Sequence, residues 1–419
     1  MSARTPLHGW LTAEAISLTG TRVSMIAIPF LVLTTTGSAT QTGLVALVET
    51  LPMVLLKVLG GPVIDRVGAR RVSISCDLAS LVVVGAIPLL HEAGALSFPA
   101  LLGLVALAGA LRGPGDAAKQ ALVPAVVEHA GVPMERVTGL AGTVERLSSM
   151  LGAALAGVLV AAVGATNALL VDAASFGVSA VVLLATTGAL RPAAPVAEDA
   201  EGRYADRLRE GWAFLRGDRV LLGIAVMVAL TNLLDAAYVT VLVPVWAVES
   251  GRGAGAIGLL FAVFSGFSAV GAICAATWAA RLPRYRTYLV GFLVCGAPRF
   301  AVFALDTPVP LLLAVIAASG FAAGFLNPVL GAVIFERIPA RLVGRVSSLT
   351  TAMCFALIPL GGLLGGSLVA GVGLAAAMLV VGTAYLAVTM LPAVDPRWRE
   401  MDRRVAVPAL VPPATRIPG

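Results

Sequence analysis

Charge is what this chain has least of. Of its 419 residues, 12% are Asp, Glu, Lys or Arg and 58% are hydrophobic, with a mean hydropathy of +0.95. A water-solvated domain carries about 25% charged residues, so the composition excludes one and points to an integral membrane protein. Histidine is scarcer still: His8, His91 and His129 lie far apart. No catalytic set of His, Asp and Glu gathers around them, which argues against a polytopic membrane enzyme. The four cysteines, Cys76, Cys274, Cys295 and Cys354, sit in apolar segments without metal-ligand spacing. That excludes a disulfide framework or a zinc site and leaves them as small packing residues, with no cofactor expected.

What the chain does have is long apolar runs. A helical span needs roughly 20 such residues, and stretches of that kind occupy 9–35, 42–64, 72–91, 97–118, 137–163, 167–188, 220–247, 256–279, 287–304, 309–335, 346–371 and 374–392. The expected fold is therefore an all-α membrane protein with 12 transmembrane helices in two six-helix bundles. Residues 1–190 form the first bundle, 191–219 a cytoplasmic linker, 220–392 the second bundle and 393–419 a disordered cytoplasmic tail. The linker should carry an interfacial helix with Tyr204, Leu208, Trp212 and Leu215 on one stripe. The first run is too long for a signal-peptide core and contains Glu14 and Arg22, so it reads as a retained helix.

A net charge of +6 does not imply nucleic acid here, because of where the cations fall. Of the 29 Lys and Arg, 23 lie in segments on one side of this topology and five lie inside spans (Arg22, Lys57, Arg112, Arg146, Arg299), leaving Arg252 on the other side. Positive residues stay in the cytoplasm, which predicts a multi-pass protein of the cell membrane with both termini cytoplasmic; a monomer is expected.

The sequence also repeats itself at about half its length. A shift of 209 sets Gly152, Gly157 and Gly164 on Gly361, Gly366 and Gly373, and a shift of 215 sets Gly43 on Gly258, Arg66 on Arg281 and Arg71 on Arg286. The second shift places Ala280 opposite Asp65, so the halves are related without being equivalent.

Ionisable residues inside the bilayer cost about 2.5–3.5 kcal/mol each on insertion scales, so each requires a partner, water or a function. Asp235, mid-way along the seventh span with Asn232 one turn earlier, is the leading proton-coupling candidate; the rival reading pairs it with Arg299. Glu145, Glu49 and Glu14 are further coupling candidates. Glu145 and Arg146 are adjacent, about 100° apart on a helix, and each needs a partner elsewhere, Arg112 or Arg22 in the case of Glu145. Arg22, Arg112, Asn232 and Asn327 are candidates for the substrate cavity. Arg22 either holds an anionic or carbonyl-bearing compound or clamps an acid such as Glu49. Arg112 and Asp116, four apart, form either a local pair or part of a gating network with Asp65 and Asp77. Asp172 and the Asn327-Pro328 step also read as structural.

The stretch GGPVIDRVGARR, Gly60 to Arg71, resembles the loop 2–3 signature of the major facilitator superfamily, with Ala69 its one looseness. The runs VDAASF, REGWAFLRGDRVL and FLNPVLGAVIFERIPARLVGRVSSL resemble the bacterial drug-efflux and siderophore-exporter branch, which includes macrolide efflux proteins and the enterobactin exporter. The resemblance implies alternating access driven by the proton gradient and export of a small amphipathic or apolar compound. It also implies a conformational gate built from Gly60, Gly61, Asp65, Arg66, Gly68, Arg70 and Arg71, to which Asp77 is added by position. The fifth span departs from the branch's antiporter signature: Ser148, Gly152-Ala153 and Ala156-Gly157 keep small size and lose the proline.

Uptake of a nutrient is the nearest alternative. Sugar and peptide carriers should present more aromatic and amide side chains, whereas aromatics are 6% here, which favours apolar cargo. A membrane scaffold or receptor would not account for buried carboxylates in a cavity-forming repeat.

Overall fold

The computed structural model describes residues 4–190, 204–278, 281–339 and 342–402. The start of the linker, expected to be flexible, and the tail beyond 402, expected to be disordered, lie outside them. No strand occurs among the described residues, as lipid requires of a chain that must satisfy its backbone within each segment.

In chain order the helices are α1 (Thr5–Thr36), α2 (Ala39–Leu59), α3 (Gly61–Val67), α4 (Ala69–Glu92), α5 (Phe98–Ala121), α6 (Val123–Ala130) and α7 (Met134–Thr186). The second half follows with α8 (Tyr204–Gly217), α9 (Arg219–Ala237), a π-helical turn (Tyr238–Leu242), α10 (Val243–Glu249), α11 (Gly253–Trp278), α12 (Arg284–Cys295) and α13 (Ala297–Ala304). It ends with α14 (Val309–Arg337), α15 (Val343–Ala356), α16 (Ile358–Val372), α17 (Leu374–Val394) and a 3₁₀ turn (Pro396–Asp402). Polar caps mark several starts: Ser38 accepts from the Gln41 amide, Ser97 from Ala100, and Asp218 from Val220 and Leu221.

Among the described residues eleven stretches are long and apolar enough to cross a bilayer, where the sequence predicts twelve spans. The difference lies in Arg136–Thr186, a single stretch of 51 residues, about 77 Å at 1.5 Å per residue and far more than one crossing needs. Gly164 breaks it with φ 84° and ψ 159°, a conformation open to glycine alone. On one leg Ser148 reaches the Ala15 carbonyl and Ser149 reaches Arg22, so sequence numbers rise together. On the other leg Thr186 sits against Gly9 and Asp172 against Ser24, so they run oppositely. The chain therefore reverses at Gly164, and α1 packs between both legs.

Gly373, the repeat mate of Gly164, has φ 80° and ψ 166° and joins α16 to α17 in the same way. The repeat also governs how the halves meet. Gly157 of α7 packs on Gly258 of α11, and Gly362 and Gly366 of α16 pack on Gly43 and Ala39 of α2. A Cβ on Gly157 would lie 2.7 Å from the Gly258 Cα, so only glycine permits this approach. Gly43 and Gly258 are themselves repeat mates, so one helix contact is made twice. These contacts lie at the end opposite α3, called here the far end. At the basic end, which carries α3 and most arginines, a Cβ on Gly139, Gly142 or Gly331 would meet open space.

The linker helix α8 does not rest on lipid through the whole predicted stripe. Leu215 is buried against Leu221, Ile338, Leu342 and Val346, while Trp212 is exposed. The Tyr204 and Leu208 side chains lie outside those described. Arg337, at the end of α14, fixes the corner by bonding Asp218 (2.8 Å) and Glu400 (3.2 Å). Burial alone would pull its guanidinium down, but the two carboxylates outweigh it and hold the pKa above its usual value.

Candidate functional site

Between the halves lies a cavity of about 180 Å³. Arg22, Met25 and Ile26 of α1 and Ser149 and Ala153 of α7 form one wall, and Val239 of the π turn with Phe261, Phe264 and Ser265 of α11 forms the other. Arg22 is 17 residues into the 32-residue α1, close to mid-membrane. Its Nη2 donates to the Ser149 hydroxyl at 2.8 Å, its Nη1 approaches the Met25 thioether at 3.3 Å, and its buried Nε has no partner. Gly152 makes room for it, since a Cβ there would stand 2.9 Å from the Arg22 side chain. The small residues that replace the antiporter proline thus form the trough in which this arginine lies. Arg22 does not clamp Glu49, because the serine one turn away on α7 takes its guanidinium instead.

Of the four residues expected at the cavity, Arg22 alone is on its wall. Arg112 pairs with Asp116 along α5 at 3.8 Å, the local reading, and lies near enough to Glu49, Asp172 and Arg22 to act on them electrostatically. Asn232 donates to the Cys354 carbonyl at 2.9 Å and ties α9 to α15. Asn327 is exposed on α14. Asp172 accepts from Ser24 and Ser175, the structural role expected of it.

Asp235 is ion-paired with Arg299. The Asp235 side chain remains 35% exposed against 7% for Arg299, and it stands one turn from Val239 on the same side of its span, next to the cavity. Arg299 is packed among the rings of Tyr238, Phe300 and Tyr385, whose centroids lie 5.0, 4.9 and 4.9 Å from its guanidinium carbon. The π turn that follows Asp235 and the break at Gly296 just before Arg299 are where the two helices depart from regularity. Sequence reasoning named this pair and left its role open.

Sequence reasoning missed Lys119, which it placed in a cytoplasmic loop. α5 continues to Ala121, and Lys119 is 1% exposed. Its Nζ lies 3.0 Å from Asp77 and 2.9 Å from the Ser17 hydroxyl, while Ser179 donates to Asp77 at 2.7 Å. Asp77 is therefore held by Lys119 in this state, away from the network with Asp65 and Arg112. The signal was the spacing: Lys119 is seven residues after Arg112, two turns along the same face.

Glu14 and Glu49 are half-buried and make no ion pair among the described residues; Lys119 is the cation acting on Glu14. Glu145 and Arg146 are exposed on α7, and Glu145 pairs with neither Arg112 nor Arg22, because that segment faces open space near Gly142. Around α3, Gly60 caps α2, Gly61 begins α3, and Gly68 turns the chain with φ 95° between α3 and α4. Arg70 reaches the Thr187 hydroxyl and the Leu184 carbonyl at 3.0 and 2.9 Å. Asp65, Arg66 and Arg71 are exposed. A larger cavity of about 690 Å³ lies at the basic end around Arg337 and Asp218, away from the path between the halves.

Residues 10–253 and 227–400 match the sequence profile of the Major Facilitator Superfamily. The chain belongs to the major facilitator superfamily. The multidrug efflux pump Tap of Mycobacterium tuberculosis is 29% identical to it over 406 residues, covering 96% of each chain. Tap of Mycolicibacterium fortuitum is 29% identical over 408 residues, 95% of this chain and 98% of that one. Among solved structures, the nucleoside transporter NupG superposes with a TM-score of 0.71 at 14% identity, covering 93% of this chain and 98% of that one. A bacterial homologue of the iron transporter ferroportin in its inward-facing state gives 0.66 at 16%, covering 93% and 100%. At such identities the structures establish the superfamily fold alone.

Proposed function

We propose that this superfamily member is a secondary active exporter of small apolar or amphipathic compounds, driven by proton exchange. The observation that carries the reading is likeness over almost the whole chain to pumps named for multidrug efflux, joined to a mid-membrane cavity whose walls come from both halves. Export from the cytoplasm is the direction for which those pumps are named. The far end is held by glycine contacts, whereas a Cβ on Gly139, Gly142 or Gly331 at the basic end would have no neighbour, and positive residues mark the cytoplasmic side, so both termini are assigned there. Closing the basic end while parting the glycine contacts would present the cavity to the other side.

In this reading the bundles 1–190 and 220–392 rock as bodies around the cavity, and 191–219 tethers them. Asp65, Arg66 and Arg71, exposed here, make their contacts in the opposite state, which is what a gate requires. Asp235 is the coupling carboxylate in this reading, because it stands one turn from Val239 of the cavity wall and holds a single cation, Arg299. The protein works as a membrane-embedded carrier without catalysis, as a monomer.

The test is transport in inverted membrane vesicles with a panel of antibiotics and dyes. Accumulation that depends on an imposed proton gradient supports the reading. Accumulation that ignores the gradient removes proton coupling, and movement only in the uptake direction removes export.

A further inference from the structure

Resting on the exporter reading, we propose that Arg22 is the recognition group of the central cavity and that it selects cargo bearing a hydrogen-bond acceptor, a carbonyl or an anion, on an apolar ring, against cations.

Arg22 carries the only formal charge on the cavity wall, and no carboxylate lies within 4 Å of its guanidinium among the described residues. Most acids nearby are committed: Asp235 is held by Arg299, Asp172 by Ser24 and Ser175, and Asp116 by Arg112. Two charges act on Arg22 from beyond the wall, Arg112 against it and the exposed Glu145, a turn nearer the basic end than Ser149, in its favour; neither makes contact with the guanidinium, so neither meets its donors. A guanidinium has five donors. Here one finds a hydroxyl, one a thioether that accepts weakly, and Nε none. In a low-dielectric site such unmet donors are a standing cost that a bound acceptor removes.

The rest of the wall supplies the apolar half of the recognition. Met25 and Ile26 face Phe261 and Phe264, and Met25 covers Nη1 in the absence of cargo. Because a thioether is a weak acceptor on a flexible stem, it yields to a carbonyl or carboxylate oxygen. The 180 Å³ present in this state is below the roughly 300–1,000 Å³ of a drug-sized site, so it takes one ring and its acceptor while the remainder of the cargo extends beyond it. A cation in the same place would meet Arg22 with Arg112 behind it.

Two xanthene dyes share a ring system and differ in charge, anionic fluorescein and cationic rhodamine 6G. Their binding to the purified full chain in detergent is read by fluorescence polarisation. The wild type should bind fluorescein at least about tenfold more tightly, as one charge-assisted bond and one avoided repulsion require. Arg22→Gln should erase that preference, Ser149→Ala should reduce it, and Phe264→Ala should weaken both dyes alike. Variants are compared only where their thermal midpoints match the wild type, and Arg22→Lys, which keeps the charge and loses the fork, should retain part of the preference. Equal or tighter binding of rhodamine 6G, no measurable binding of fluorescein, or an unchanged ratio in Arg22→Gln overturns the proposal. Because this is binding at equilibrium, it stays readable if vesicle transport shows no gradient dependence, and failure there bears on the exporter reading alone.

Discussion

Lys119 and Asp77 sit 3.0 Å apart with side chains 2% and 4% exposed, joining α5 to α4 inside the first half. Lys119 also donates to Ser17 of α1, its carbonyl accepts from the Trp10 indole at 2.9 Å, and Asp77 accepts from Ser179 of α7. Four helices thus converge on one charge pair. Each partner left alone is a buried ion without an ion pair, Lys119 keeping only the more distant Glu14.

Asp77→Asn or Lys119→Met should therefore cost about 3–5 kcal/mol. The double variant should cost far less than the sum, since it leaves no orphan charge. Unfolding midpoints of the purified chain in one detergent check this. Additive losses would mean that the two residues act separately.

Lys119 also shows where a sequence stops being informative. A lysine two residues from a helix end is expected to snorkel to water, and only the convergence of α1, α4 and α7 reveals that water is absent. The spans, the repeat and the α3 loop were legible because lipid forces apolar runs of fixed length and glycine must stand where backbones touch. The break inside α7 was legible as well, because the gap between the expected spans 137–163 and 167–188 falls at Gly164, where the chain reverses. Arg22 was legible as a misplaced charge. That Ser149 and not Glu49 receives it depends on the depth of the Gly152 trough, which is a property of packing.

The far-end seal makes a steric prediction. A Cβ on Gly258 would stand 2.6 Å from the Gly157 Cα, so Gly258→Val should hold α7 and α11 apart and stop transport while the chain stays folded. Ala254, 3% exposed beside this contact, reports it. In a background without the four native cysteines, Ala254→Cys should react with a membrane-impermeant maleimide in the Gly258→Val protein and be protected with glycine in place. Protection in both would show that the seal does not depend on the glycine.

Asp65 should behave in the opposite way to Asp77. It is exposed and makes no ion pair among the described residues, so Asp65→Asn should change stability by no more than about 0.5 kcal/mol. If its partners appear in the other state, the variant should slow turnover while leaving fluorescein affinity intact. A binding defect with normal turnover would contradict a gating role.

The last prediction separates two roles of Asp235. Asp235→Asn strands Arg299 among three rings and should destabilise the chain by about 3–5 kcal/mol, so a loss of transport in that variant would be ambiguous. Asp235→Asn combined with Arg299→Gln removes both charges and should recover most of the stability. A coupling carboxylate is still missing from it, so the double variant should exchange cargo across vesicles at equal concentration yet fail to accumulate it against a proton gradient. The 35% exposure of the Asp235 side chain beside 7% for Arg299 is the physical reason to expect this, because the carboxylate is the more accessible member of the pair. Uphill accumulation by the double variant would reduce the pair to a structural clamp and move coupling to Glu14 or Glu49, the half-buried acids of the first half that lack an ion partner.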